Sequence, residues 1–280
     1  FSPKRQYTVE GALAGPPPAG AFPLLPGTVE SDSDYFLVPH FGIVRPIDAD
    51  SSWGVAVYGN GGMNTDYPAF ANGYCPAGTL GTGPFCMGEA GINLEQLFIT
   101  PTYARKFAGG SASVGASLIL GYQRFEAKGL EAFGAFGMSS DPTNLSGNGV
   151  DTSTGVGVRL AMMAEVAPGI NLAASYQPKM GMSEFDEYSG LFADQGNFDI
   201  PSNWNVGLAW ETSSTSTWTL DIQGINFSEV DSVGNPIANL QSPANPTGAL
   251  FGAAGGPGFG WDDMTVFKLG YQWTTGGDWT

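Results

Sequence analysis

The chain has 280 residues and a formal net charge of −16, with only 13% of residues charged and 12% aromatic. That charged share is about half the usual globular one, and the acidic balance excludes nucleic acid, which needs a basic surface. Glycine (42) and proline (20) are too abundant for a tightly packed helical protein, and no apolar run reaches the roughly 18 residues of a membrane-crossing helix.

Low charge with many aromatics and no apolar helix is ordinary for a β-barrel whose outside meets lipid. The chain opens at Phe1 without a Met, and a strand pattern begins again at Trp279. The expectation is one barrel domain over 1–280, incomplete at both ends.

Period-two alternation marks candidate strands at 5–14, 35–47, 52–63, 93–106, 112–127, 153–167, 170–183, 198–211, 217–229 and 263–275. Most exceed the usual strand of about 5–6 residues and suit a tilted membrane strand of about 9–11. "GVAVYGNGGMNTDYP" places Gly54, Gly59, Gly61 and Gly62 close together. Such glycines mark a bend or close backbone approach; Gly59, Gly61 and Gly62 are read as a wall kink, with a plain barrel corner as the alternative. Cys75 and Cys86 share a Gly/Pro-rich loop. In a non-cytoplasmic chain they are expected to form a disulfide, with two free thiols as the alternative.

"STGVGVRLAMMAEVAP" puts Val156, Val158, Leu160 and Met162 on one face and Arg159 and Glu165 on the other. Its hairpin partner, "INLAASYQPKMG", sets Leu172 and Tyr176 against Asn171 and Lys179. Leu208 and Leu220 extend the apolar face; Asn205 and Asp221 extend the polar one. Trp204, Trp210 and Trp218 fit interfacial positions. The apolar face is expected to meet hydrocarbon and the polar face a lumen. In "WTLDIQGINFS" the parity changes after Gly224, which predicts a bulge there.

The connections alternate: short at 48–51, 108–111, 168–169 and 212–216, long at 16–34, 64–92, 128–152, 184–197 and 230–262. Tight turns at one end and long loops at the other are the signature of an up-and-down outer-membrane barrel. The fold class is therefore all-β, a transmembrane antiparallel up-and-down β-barrel with about ten strands present in this stretch. A soluble two-sheet sandwich is the competing fold; it does not explain so few charges on the polar face.

Catalytic and metal motifs are weak. "DADSSWG" lacks the glutamate that closes a calcium loop, "GNGGMNT" lacks the Lys-Ser/Thr of a phosphate loop, and His40 is the sole histidine. No metal site, cofactor or enzyme activity is expected. The long loops are unusually apolar instead. Leu130, Phe133, Phe136 and Met138 lie in one, with the first three on one side of a short helix, and Leu250, Phe251, Phe259 and Trp261 lie in another. Exposed apolar clusters mark binding surfaces, with packing against neighbouring loops alone as the alternative. Arg124 and Lys128, entering the 128–152 loop, are candidate partners for a carboxylate. Arg159 and Lys179 are expected in the lumen, paired with acids such as Glu165 or Asp221.

"STGVGVRLAMMAEVAPGINLAASYQPKMGMSEFDEYSG" followed by "FDIPSNWNVGLAWE" resembles the FadL/TodX family of outer-membrane transporters of hydrophobic compounds. "SWGVAVYGNGGMNTDYP" and "LEQLFITPTYARKF" are similar to its earlier strands. The resemblance implies a monomeric barrel of about fourteen strands in the bacterial outer membrane, among its lipid and lipopolysaccharide, carrying long-chain fatty acids or aromatic hydrocarbons. It also implies capture at the outer loops and release through the barrel wall. The family's N-terminal plug and last strands have no counterpart here. The alternatives are a structural or adhesive barrel, which polar loops would favour, and an outer-membrane lipolytic enzyme, which a Ser-His pair would favour.

Overall fold

The computed structural model describes residues 4–10, 24–241 and 245–274. An alternation of period two can present one continuous apolar face only as a strand, and the chain obeys it. Nine strands form one antiparallel sheet: β3 (His40–Pro46), β4 (Ser51–Tyr67), β5 (Ala90–Phe107), β6 (Ala112–Lys128), β7 (Asp151–Ala167), β8 (Ile170–Gln177), β9 (Asn203–Ser213), β10 (Ser216–Ile225) and β11 (Met264–Trp273). Each pairs only with its sequence neighbours, so the sheet is an up-and-down wall edged by β3 and β11 among the described residues.

Register carries the apolar face across the wall. Val57, Ile99, Leu120 and Val156 lie side by side on β4 to β7. Ala164, Leu172, Leu208, Leu220 and Leu269 continue the row over β7 to β11. Val158, Leu160, Leu172, Tyr176, Leu208 and Leu220 are all exposed, as a lipid-facing set must be. Near the short turns the same face carries Trp53 opposite Tyr103, and Trp218 between Trp210 and Tyr271. Near the loops it carries Tyr122, and Tyr176 opposite Trp204. These are the two aromatic girdles of a membrane barrel.

The wall is uneven. β4 to β7 have 17 or 18 residues, whereas β8 to β11 have 8 to 11. About 9–11 residues cross a bilayer, so the long strands rise above it. On β5 and β6 the outward face changes from Ile99, Leu120 and Tyr122 to the ion pair of Glu95 and Arg124 (3.5 Å). That change marks the upper edge of the apolar band.

Residues 178–202 fold back into the lumen. Met180 bridges to Ile200, and Met182 to Gly155 on β7. The inward glycines of β6 and β7 make room for the methionines: a Cβ on Gly157 would fall 2.5 Å from Met180 Sδ, and one on Gly155 2.3 Å from Met182 Sδ. Met180, Met182 and Ile200 join Phe98 and Ile119 in a buried cluster at lumen level. A second cluster sits above it, with Leu94 and Phe125 of the wall against Phe185, Tyr188, Phe192 and Phe198 of the loops.

Several sequence expectations are corrected. The 5–14 strand is not a wall strand: only β1 (Gln6–Val9) forms, and it pairs with β2 (Gly27–Glu30) in a separate two-stranded sheet. Positions 11–14, and Trp279, lie outside the described residues. The 170–183 strand ends at Gln177, because Pro178 has no N–H to donate to a ladder. No bulge occurs at Gly224, whose pairing to Trp204 continues to Ile225 with Asn203. The parity change arises because β10 ends and Phe227–Glu229 turns as a 3-10 helix. Gly224 is small for another reason: a Cβ there would lie 2.4 Å from the Trp204 indole.

Candidate functional site

The outer loops close over the raised part of the wall and leave a cavity of about 190 Å³. Ile92 of β5 and Phe125 of β6 form its wall side; Leu130, Phe133, Leu145, Leu191, Phe192, Ile237, Phe251, Pro257 and Phe259 come from three loops, with Ser232 and Gly258. The helix expected around Phe133 forms as α1 (Glu131–Ala135), and it turns Leu130 and Phe133 inward at i, i+3 spacing. The helix stops before Phe136, whose side chain is 52% exposed and does not line the cavity. Phe133 stands edge-on between Phe85 (5.5 Å) and Phe251 (5.8 Å).

Of the residues expected to bind ligand, the cavity thus gathers Leu130, Phe133 and Phe251, joined by Phe259 of the same apolar loop, and leaves out Phe136, Met138, Leu250 and Trp261. Met138 and Phe251 are joined through their backbones (2.9 Å), which fixes one loop against the other. Trp261 lies beside Phe259 (6.0 Å), one layer back. Arg124 and Lys128 do not reach the cavity. They share the outward parity of β6, opposite to Phe125, and they serve acids there: Glu95 for Arg124, and Asp66 (2.8 Å) and Glu89 (2.9 Å) for Lys128. Ile92, Phe125, Leu191 and Phe192 also line the cavity, and no loop-cluster signal in the sequence marks them. The inward parity of Phe125 was readable, but its position under a loop was not.

Among the described lining residues Ser232 has the one polar side chain, and its hydroxyl donates to the Asn197 carbonyl (2.6 Å). No cation faces the space among its lining residues. The site can therefore hold an apolar molecule by exclusion of water, and it offers a charged group no partner. Polar groups around it brace the loops. Tyr188 is buried beneath the cavity, where its hydroxyl accepts from the Ala127 N–H and donates to the Gly149 carbonyl, and desolvation raises its pKa. Asp141 accepts from Thr143, Asn144 and Ser189, and those bonds hold its carboxyl below the usual value. Asp194 is pushed the other way, first by desolvation and then by Asp231.

Arg159 lies in the lumen but is not paired with Glu165 or Asp221. Its guanidinium donates to the Gln177 Oε1 (2.6 Å) and the Tyr58 hydroxyl (3.3 Å). Lys179 does meet an acid, though Asp199 (3.1 Å) rather than the two expected. Cys75 and Cys86 are bridged, with Cα atoms 5.5 Å apart, and the closed loop carries Phe85 to its place against Phe133. Among the described residues, no group of His, Cys, Asp and Glu is arranged to hold a metal.

At the glycine-rich stretch the β4–β5 register shifts between Gly59 and Gly61, so Asn60 is an extra, bulged residue. On the other side of β4, the β3 ladder stops at His40 with Tyr58, and one further bond joins the Gly59 N–H to the Pro39 carbonyl (3.1 Å). The next backbone bond between these segments is from Asp32 N–H to the Asp66 carbonyl (2.7 Å). Residues 33–38 therefore run beside 60–65 without a ladder.

No family model and no curated protein matches the sequence. Solved structures do match. The toluene transporter TbuX of Ralstonia pickettii superposes with a TM-score of 0.58 at 17% identity, over 88% of this chain and 68% of that one. Two structures of the toluene transporter TodX of Pseudomonas putida give 0.53 and 0.52 at 16% and 15% identity, over 73% and 72% of this chain. The chain spans 58% and 57% of those TodX chains. The resemblance read from the glycine-rich and tryptophan-bearing strands holds at the level of architecture: the chain has the fold of the toluene transporters TbuX and TodX.

Proposed function

We propose that this chain forms wall and loops of an outer-membrane channel that takes up small apolar compounds. Substrate enters the loop cavity from the outside and leaves through the wall near the Gly59–Gly62 bulge. The observation that carries the reading is the cavity lining, apolar throughout except for a serine whose donor is already used. The fold shared with two toluene transporters supports it. An apolar cavity of roughly 150 Å³ holds benzene, so about 190 Å³ suits a single aromatic ring. A long-chain fatty acid fits less well. It exceeds that space, and its carboxylate needs a cation that the lining lacks.

The wall exit is supported by the unladdered stretch beside the bulge, where backbone pairing does not seal the sheet. In this reading the protein is a monomeric transporter without catalytic activity, surrounded by outer-membrane lipid and lipopolysaccharide. The test is uptake of labelled toluene and labelled palmitate by cells carrying the full-length protein. Saturable toluene uptake, with little competition by palmitate, is expected. Palmitate uptake that saturates at lower concentration than toluene would overturn the choice of substrate.

A further inference from the structure

We propose that Asn60, Gln96 and Gln123 are positioning residues that couple the loop cavity to the wall bulge; the proposal rests on the transport reading above. The three amides form a one-way relay. Asn60 Nδ2 donates to Gln96 Oε1 (3.0 Å), Gln96 Nε2 donates to Gln123 Oε1 (3.1 Å), and Gln123 Nε2 donates to the Phe198 carbonyl (2.9 Å). One end is the bulged residue itself. The other is the backbone of a residue whose ring meets Phe192 (4.8 Å) and Phe259 (6.3 Å), both of which line the cavity.

The surroundings make the relay the route for a displacement. Gln123 has no exposed surface and lies between two apolar clusters, one above it around Phe125 and Phe198, one below around Phe98 and Ile119. A buried amide that loses its acceptor there is left unsatisfied, so a shift of the Phe198 carbonyl draws Gln123 with it and then Gln96. At the far end Asn60 is outside the β4–β5 register, and its side-chain bond to Gln96 ties the bulge to β5. Gly61 leaves the space for this bond, since a Cβ there would lie 2.9 Å from Gln96 Oε1. A ligand wedged between Phe192 and Phe259 moves Phe198, loosens the Asn60 tie and frees the bulge beside the unladdered stretch 33–38.

Spin labels at Leu37→Cys and Glu95→Cys, on the full-length protein with its disulfide intact, report the width of that stretch with and without toluene. In the labelled protein toluene should change the distance distribution. Gln96→Met and Asn60→Ala should each abolish the change while the toluene Kd stays within about threefold, less than 1 kcal/mol. Asn60 is exposed, so its variant does not threaten folding. A merely structural Gln96 would alter the resting distance and leave the response to toluene intact. An undiminished response in both variants, or toluene binding with no movement in the parent, overturns the relay. If toluene does not bind at all, the transport reading fails, and the cavity-filling Leu191→Phe decides the relay without ligand. It must shift the label pair in the parent and not in Gln96→Met; any other result overturns the coupling.

Discussion

Replacing Phe133 with alanine should weaken toluene binding without unfolding the barrel. The ring does two things in the structure: it forms part of the cavity surface, and it stands edge-on between Phe85 and Phe251 at 5.5 and 5.8 Å. Burying a Phe-sized apolar surface against a ligand contributes about 1.5–3 kcal/mol. Each edge-to-face pair adds about 0.5–1.5 kcal/mol to loop packing, which keeps the neighbouring walls at van der Waals distance. At 1.4 kcal/mol per tenfold, the ligand contact alone corresponds to a rise in Kd of roughly ten- to hundredfold. Calorimetric titration of toluene into the purified full-length protein measures this, with heat-modifiable gel mobility as the check on folding. Phe136→Ala is the internal control, because Phe136 is half exposed and lies outside the cavity lining, and it should shift Kd less than about twofold. Equal effects of the two substitutions, with both barrels folded, would refute the assignment of the cavity.

Arg124→Ala should leave uptake of both toluene and palmitate unchanged, since its guanidinium serves Glu95 on the outer face; a selective loss of palmitate uptake counts against this placement. Replacing Cys75 and Cys86 together with serine opens a loop whose ends are 11 residues apart, costing roughly 2–3 kcal/mol in the chain-entropy model. It should increase amide exchange at Phe85 and at its neighbour Phe133, read by mass spectrometry. Gly157→Leu forces Met180 off the wall and should destabilise the inward segment by about 1–3 kcal/mol, visible as a lower unfolding temperature. The depressed pKa of Asp141 contributes stability above the ordinary carboxylate range that is lost as pH falls through the folded value. A spin label at Ser140, the exposed neighbour of Asp141, should therefore become more mobile in acid, and Asp141→Asn should remove that dependence.

The wall was legible in the sequence because lipid on one side and a lumen on the other enforce strict alternation, and a single-residue slip would invert every side chain. Val158, Leu160 and Arg159 could be assigned to faces from that alone. The cavity was not legible to the same degree. Alternation tells that Phe125 points inward, but not that the loop around Phe192 and Phe198 lies across it, since that contact joins residues 67 or more positions apart. Arg124 misled for a related reason. A basic residue at a strand end beside an apolar loop looks like an anchor until its parity is compared with that of Phe125. Phe136 misled because helical spacing was extended one residue past the end of α1.

The uneven rim has a kinetic corollary. Phe125 and Ile92 lie three and five residues beyond Tyr122 and Leu97 along their strands, which at 3.4 Å per residue and a tilt near 45° lifts the cavity roughly 7–12 Å above the hydrocarbon. A pocket at that height competes for a lipophile with water alone. One sunk to bilayer depth would compete with an almost unlimited reservoir of acyl chains and would have to bind far more tightly to be occupied. On the transport reading proposed above, loops that stand clear of the oil would need only modest affinity to fill, and transfer from there to a hydrocarbon phase would run downhill.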